Sequence, residues 1–209
     1  MFLIILCFFL NLGISWWNCY AVGSCWTEAK AAGGWPRFMS WMVAIMAASG
    51  FTSCYLLALG GIGYGMHLLS PLALKYMLEI GYVMIVPGLI FSGFCMMIDS
   101  WATAYREGGV LNYGIAGWNT YAQIHNTASA ISGMGEAVGD LFKGIGSIGS
   151  DSDDATGPAL VIGLIAACIA AGAGIITTVC LIKKYSASKP LPSYEELQAR
   201  AAAKAASER

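Results

Sequence analysis

The sequence predicts an all-α integral membrane protein: a bundle of four transmembrane helices, or at least three, with an additional interfacial amphipathic helix. Two observations predict this class. The 209 residues are 57 % hydrophobic and 11 % charged, whereas about a quarter of the residues in soluble domains are charged. The chain also contains three long runs without Asp, Glu, Lys or Arg, at residues 38–74, 80–98 and 157–182. Each run can cross a hydrocarbon core of about 30 Å, which requires a helix of about 20 residues.

The first of these runs is too long for one helix and contains its own interruption. Four glycines lie between positions 60 and 65, and each costs a helix about 1 kcal/mol relative to alanine. Pro71 follows, and a proline in a helix interior removes a hydrogen bond. The sequence therefore predicts transmembrane helices at 38–64, 71–98 and 158–182.

Residues 1–15 permit two interpretations. They form a short apolar segment that is either a first transmembrane helix or a signal peptide, with Gly13 and Ser15 as the small residues before a cleavage site. We favour the helix, because the positive charges that normally precede a signal sequence are missing. Both interpretations place residues 16–37 in an outer loop.

The basic residues of the tail indicate its side of the membrane. Lys and Arg near the ends of spans mark the cytoplasmic side, and the predicted tail at 183–209 contains six of them: Lys183, Lys184, Lys189, Arg200, Lys204 and Arg209. We therefore expect a multi-pass protein with a cytoplasmic C-terminus, in a plasma membrane, an endomembrane or a viral envelope. Tracing back through the spans places the 64–70 turn inside, and 16–37 and 99–157 outside.

Cys19 and Cys25 are candidates for a disulfide. They lie in the predicted outer loop, in a compartment where disulfides persist, and only a short segment separates them. The alternative is a pair of free thiols packed among the neighbouring tryptophans.

Lys75 and Glu79 are one helical turn apart within the predicted 71–98 span. Charges inside a span are costly, and a functional site is the default hypothesis for them. One interpretation is a structural ion pair in which the lysine extends to the membrane surface; the other is a pathway for ions or protons. No metal site, no cofactor and no catalytic constellation is predicted, so an enzyme is the least expected class, and no nucleic-acid partner is expected.

The 131–150 segment combines helical apolar spacing with many glycines. Its apolar residues form a single seam, made of Ile131, Met134, Val138, Leu141, Ile145 and Ile148 and widened by Phe142. The glycines weaken an isolated helix, so a helix at 128–149 requires membrane lipids or a neighbouring chain as a second surface. The composition is similar to that of viral fusion peptides and of the membrane-proximal segments of viral fusion glycoproteins. That resemblance implies membrane fusion or remodelling.

The last predicted span has a face of small residues, made of Gly163, Ala167, Ala171 and Gly174. Such a face suits close contact between helices. The contact is either internal to the bundle or with another chain, as in a homo- or hetero-oligomer.

The tail contains a capping box, Ser193 with Glu196, which predicts a helix from Tyr194 to about Ala206. The segment with Pro192, Tyr194 and Leu197 also resembles the LPxY variant of the PPxYxxL ligands of WW domains, and it matches the YxxΦ sorting pattern. That resemblance implies a cytoplasmic adaptor as partner.

From these observations we expect a non-catalytic structural or assembly component of a membrane complex. One alternative is a viral envelope protein that acts on membranes through 131–150. Another is a small ion channel or transporter that uses Lys75 and Glu79.

Overall fold

The computed structural model describes residues 2–148, 155–187 and 194–207, and nearly all of them are helical. The helices are α1 (Phe2–Ala32), α2 (Gly34–Gly65), α3 (Pro71–Glu107), α4 (Val110–Ser147), α5 (Thr156–Ala187) and α6 (Tyr194–Ser207). Four of them, α1, α2, α3 and α5, are long and apolar enough to cross a membrane. The predicted class, an all-α membrane bundle, is confirmed.

Two pairs of glycines make the turns at one end of the bundle, which we call the double-glycine end. Gly33 and Gly34 join α1 to α2 with φ of 66° and 52°, and Gly108 and Gly109 join α3 to α4 with φ of 67° and 88°. Side chains other than glycine rarely adopt this left-handed backbone. The two turns are adjacent, because the Trp35 indole at the start of α2 donates a hydrogen bond to Asp99 near the end of α3, at 2.7 Å.

The opposite end, which we call the Pro71 end, holds the turn from α2 to α3. Pro71 occupies the first turn of α3, and the Ser70 hydroxyl accepts a hydrogen bond from the Ala73 backbone at 3.1 Å. Both features favour a helix start at this point. The turn between the second and third spans therefore lies at the position predicted from the sequence.

Helix α5 packs mainly against α1, α2 and α3. Leu56 of α2, Met77 of α3 and Ala167 and Ala170 of α5 form one buried cluster. A second cluster joins Cys19 of α1 to α2, with Leu181 and Ile182 of α5 packed against it. The core thus lies where three helices meet the last apolar one.

Helix α4 lies against α3 and touches α5 only slightly. Its 38 residues give it a length of about 57 Å at 1.5 Å per residue. It begins at the double-glycine end and runs antiparallel to α3 to the Pro71 end, where Leu141 packs against Ala73, Tyr76 and Ala159.

One predicted loop is a helix, and one predicted helix is longer than expected. Residues 16–37 are not an outer loop, since α1 passes without a break through Gly13 and Ser15 and ends only at Ala32, before the paired glycines. In residues 99–157 the predicted helix at 128–149 is only the second half of a longer one, as far as the described residues go. Helix α3 continues to Glu107 and α4 occupies Val110–Ser147, because contact with α3 stabilises a polar, glycine-rich sequence that would be a poor helix alone.

The prediction that residues 16–37 and the tail lie at opposite ends of the spans is also wrong. The Trp16 indole of α1 donates a hydrogen bond to the Tyr185 hydroxyl near the end of α5, at 2.6 Å. Arg200 of α6 forms an ion pair with Glu28 at 3.2 Å. The contact with Glu28, near the end of α1, places the tail toward the double-glycine end, whereas Trp16 lies halfway along α1. The physical reason is that α4 returns the chain along α3 before α5 begins.

Candidate functional site

Polar contacts join α3 and α4 at successive levels. Near the double-glycine end, the Trp101 indole donates to Thr120 at 2.8 Å and the Asn119 amide donates to Ser100 at 2.7 Å. Farther along, the Gln123 amide donates to the Ile90 carbonyl at 3.1 Å. These bonds satisfy polar side chains of α4 on its neighbour, and they define the register of the pair.

Glycines bring the two helices close in the second half of their contact. A methyl group added at Gly133 would lie 2.9 Å from the hydroxyl oxygen of Tyr82, and one added at Gly144 would overlap the Tyr76 hydroxyl. The Tyr82 hydroxyl donates to the Ala130 carbonyl at 3.4 Å. These glycines therefore have a packing role that the sequence alone did not show.

The Lys75–Glu79 pair belongs to a larger charged cluster that includes α4. Lys75 Nζ lies 3.6 Å from Glu79 and 2.7 Å from Asp140, and Asp140 lies 3.3 Å from Lys143. Asp140 was not predicted as a partner of Lys75. Its position beside the apolar seam was the available signal, because a seam that packs on α3 brings the flanking carboxylate next to that helix.

Glu79 is the most enclosed member of the cluster, with 16 % of its side chain exposed. Its Oε2 atom is buried and has no hydrogen-bond partner, which among the described residues is true of no other buried side-chain oxygen or nitrogen. A cleft of about 400 Å³ lies beside it between α3 and α4, lined by Leu78, Glu79, Tyr82, Gly133, Glu136, Ala137 and Asp140. The cleft is acidic, and its chemistry suits a cation, a proton or water more than an anion.

The apolar seam predicted in α4 is divided between two surroundings. Met134, Val138 and Leu141 are partly buried. Ile131, Phe142, Ile145 and Ile148 are about half or more exposed. The seam thus serves in part as the contact with α3.

The side of α4 that points away from α3 has a different composition, and we call it the outer face of α4. It follows three- and four-residue steps and consists of Tyr121, His125, Ala128, Ser132, Gly135, Gly139, Lys143 and Gly146. A side chain added at Gly135, Gly139 or Gly146 would meet no atom within 4 Å. The outward surfaces of α1 and α5 present large apolar residues such as Phe9, Ile14, Ile165 and Ile176, whereas on α4 the exposed large apolar residues, among them Ile124 and Phe142, flank the outer face.

The small-residue face of α5 is directed into the bundle. A methyl group at Gly163 would lie 2.8 Å from the Met77 backbone nitrogen, and one at Gly174 would lie 2.7 Å from that of Thr52. Ala167 is fully buried, and Ala171 is partly buried. Of the two contacts that the sequence left open for this face, the internal one is present.

The predicted disulfide is absent. All seven cysteines are free, with Cys19 buried and Cys25 exposed. Both lie on one continuous helix, and six residues correspond to a rotation of about 240°, so the two thiols point to different sides. The Cys19 thiol instead faces the Thr178 carbonyl of α5, at 4.0 Å.

The tail motif is described only in part. Pro192 lies outside the described residues, whereas Tyr194 begins α6 and Leu197 lies within it. The predicted helix from Tyr194 to about Ala206 agrees with α6. Recognition by a WW domain or a sorting adaptor stays a prediction.

Comparisons with known protein families, with curated proteins and with solved structures find no match to this chain. Among the described residues, no three His, Cys, Asp or Glu side chains are grouped so that they could hold a metal ion. The packing of α3 against α4 is therefore the feature from which a function can be inferred.

Proposed function

We propose that the protein is a non-catalytic structural component of a membrane assembly, and that it associates with further copies of itself through the outer face of α4. The observation that carries the proposal is the composition of that face. Its glycines have open space around them, and among the helices of the described chain α4 packs almost entirely on α3 alone. The apolar surfaces of α1 and α5 suit lipid chains, whereas small and polar side chains suit a neighbouring helix.

The chemistry of the outer face favours close helix contact over lipid. Small residues let two backbones approach, and hydroxyl or imidazole groups then find hydrogen-bond partners across the interface. Ser132 and His125 supply such groups between glycines and Ala128. A second copy offers the same surface and the same groups, as an interface with twofold symmetry requires.

The test is the mass of the detergent-solubilised full chain, measured by native mass spectrometry over a range of concentrations. We expect a discrete oligomer. The Gly139→Leu variant should weaken association about tenfold or more, which corresponds to about 1.4 kcal/mol, because leucine holds the helices apart. Gly13→Leu on α1 is the matched control, since Gly13 is equally open, and it should leave the mass distribution unchanged.

A wild-type monomer at every concentration contradicts the proposal. So does equal loss of the oligomer in both glycine variants, because the contact then does not involve α4 specifically. Both variants should first give the same helical content by circular dichroism as the unmodified chain.

A second candidate function is transport of cations or protons through the cleft between α3 and α4. The observation that favours it is the buried, unpartnered Oε2 of Glu79 beside that cleft. If Glu79 is part of a pathway, Glu79→Gln should change ion flux in proteoliposomes, while Lys143→Gln at a side chain that is 82 % exposed should not. Equal flux in both variants and in empty liposomes contradicts this function.

Membrane fusion through 131–150 is supported less well. For that segment to enter another membrane, α4 would have to give up the close contacts of Gly133 and Gly144 with the tyrosines of α3. It would also lose the ion pair between Asp140 and Lys75. The contacts of α4 favour the structural role.

A further inference from the structure

Helices α3 and α5 run in the same direction, so the chain that connects them must come back from one end of the bundle to the other. Gly163, near the start of α5, lies against Ala73 and Met77, near the start of α3. Farther along, Thr177 of α5 hydrogen-bonds Tyr55 of α2 at 2.8 Å. Helix α5 is therefore parallel to α3 and antiparallel to α2. If both α3 and α5 cross a membrane, the segment between them must cross it too.

Helix α4 is that segment, and it lies at the same level as the uncharged part of α3. The contacts of Ala130 with Tyr82 and of Gln123 with Ile90 fall inside the 80–98 run of α3. Residues 110–135 of α4 contain no Asp, Glu, Lys or Arg. These 26 residues are long enough to cross a hydrocarbon core of about 30 Å.

The first charges on the two helices also coincide. At the Pro71 end, Glu79 of α3 lines the same cleft as Glu136 and Asp140 of α4. Toward the double-glycine end, α3 regains charge at Asp99, and α4 has no charged residue before Glu136. The uncharged stretches of the two helices therefore cover a common layer.

We infer that α4 is a fifth membrane crossing beside α3, which places the start of α1 and the tail on opposite sides of the membrane. Apolarity did not identify α4 as a span because it contains many amide and hydroxyl side chains. Several of these are bonded to α3, as Asn119 and Gln123 are. Polar groups that are satisfied within the protein are tolerated at membrane depth.

The distribution of basic residues supports this inference and assigns the sides. Eight Lys and Arg side chains are described by the structure, and six belong to the double-glycine end: Lys30, Arg37, Arg106, Lys183, Lys184 and Arg200. Lys75 and Lys143 belong to the Pro71 end. If only α1, α2, α3 and α5 crossed the membrane, four of these eight basic residues would lie on each side. The Lys and Arg bias therefore favours five crossings, with the double-glycine end in the cytoplasm.

The experiment maps four positions of the full chain with a short cassette that contains one Asn-Ser-Thr glycosylation acceptor. The sequence has no such acceptor of its own. The cassette is placed after His67, between Gly108 and Gly109, after Ala155 or after Ser207, and each protein is inserted into microsomes. Glycosylation marks the lumenal side.

We expect modification at His67 and Ala155 and none at Gly108 or Ser207. The opposite pattern, with Gly108 and Ser207 modified together, leaves the fifth crossing in place and overturns the assignment of sides. If the cassettes at Gly108 and Ala155 are both glycosylated or both unmodified, the fifth crossing is contradicted, because the two ends of α4 then lie on the same side of the membrane. The Ser207 cassette lies beyond the bundle, so its insertion should not disturb the packing of the helices. If five crossings exist, Ser207 and His67 must lie on opposite sides of the membrane.

This inference goes beyond the proposed function and does not depend on it. Five crossings are compatible with a monomer, and an oligomer is compatible with four. The two experiments can therefore fail separately.

Discussion

At the scale of single residues, glycines on one helix have opposite surroundings. Gly163 of α5 lies against the backbone of α3, whereas a side chain at Gly172 of the same helix would meet no atom within 4 Å. The spacing of small residues places Gly163 on the predicted contact face of α5 and leaves Gly172 off it, but it does not say which helix, if any, lies opposite. Only the neighbouring helix decides whether a methyl group fits.

This difference predicts opposite effects for the same substitution. Gly163→Ala should lower the free energy of unfolding by about 1–3 kcal/mol, because overpacking moves the backbone of a neighbouring helix. Gly172→Ala should be neutral or stabilising by up to about 1 kcal/mol, because alanine is the better helix former. Thermal unfolding in detergent, followed by circular dichroism, measures both. Equal melting temperatures for the two variants would show that α3 and α5 are not in close contact.

At the scale of helices, the sequence predicted the apolar ones well and the polar one poorly. The uncharged runs and Pro71 located α2, α3 and α5 to within a few residues at most boundaries. The α3 end extends nine residues beyond the predicted boundary, at Glu107 instead of 98, since no proline and no paired glycine lies between residue 98 and Gly108. Helix α4 was recognised only in its second half, because the hydrogen bonds that stabilise Asn119 and Gln123 depend on which helix lies opposite.

The candidate site shows the same limit. Spacing along one helix predicted that Lys75 and Glu79 share a face, and they lie 3.6 Å apart. Asp140 is 65 residues away in sequence, so no spacing rule relates it to Lys75. The disulfide prediction was wrong for a related reason: it assumed a loop where Cys19 and Cys25 lie on a helix.

Helix α4 should loosen independently of the other helices, because its main neighbour is α3. A side chain added at Gly93 would overlap the Gln123 side chain, whose amide donates to the Ile90 carbonyl. We therefore expect Gly93→Val to accelerate hydrogen–deuterium exchange in α4 about tenfold while exchange in α1, α2 and α5 stays the same. Mass spectrometry of peptides resolves the helices.

The control for this experiment is Gly114→Val, since a side chain at Gly114 of α4 would meet no atom within 4 Å. It should leave exchange in α4 near the wild-type rate. Acceleration in every helix after Gly93→Val would mean that α4 is part of the cooperative core, contrary to its position on one side of the bundle.

At the scale of the whole molecule, the direction of one helix decides the topology. A helix at 128–149 lying on the membrane surface leaves α5 antiparallel to α3, whereas α4 running the length of α3 leaves them parallel. The basic residues follow the second arrangement: Arg37 and Arg106 lie toward the same end as Lys183 and Lys184. The charge bias was present in the sequence, but its interpretation required the number of crossings.

The contacts of α5 with helices made before it have a consequence for biosynthesis. Ribosomes make the chain from its amino terminus, so α1, α2, α3 and α4 enter the membrane before the helix that contacts three of them exists. Until translation has passed Ala187, Met77 and Leu56 lack the alanines that cover them in the finished bundle. The contacts between α1, α2 and α3 can therefore form before α5 is made, whereas the cluster around Met77 and Leu56 is completed only after the last apolar helix is inserted.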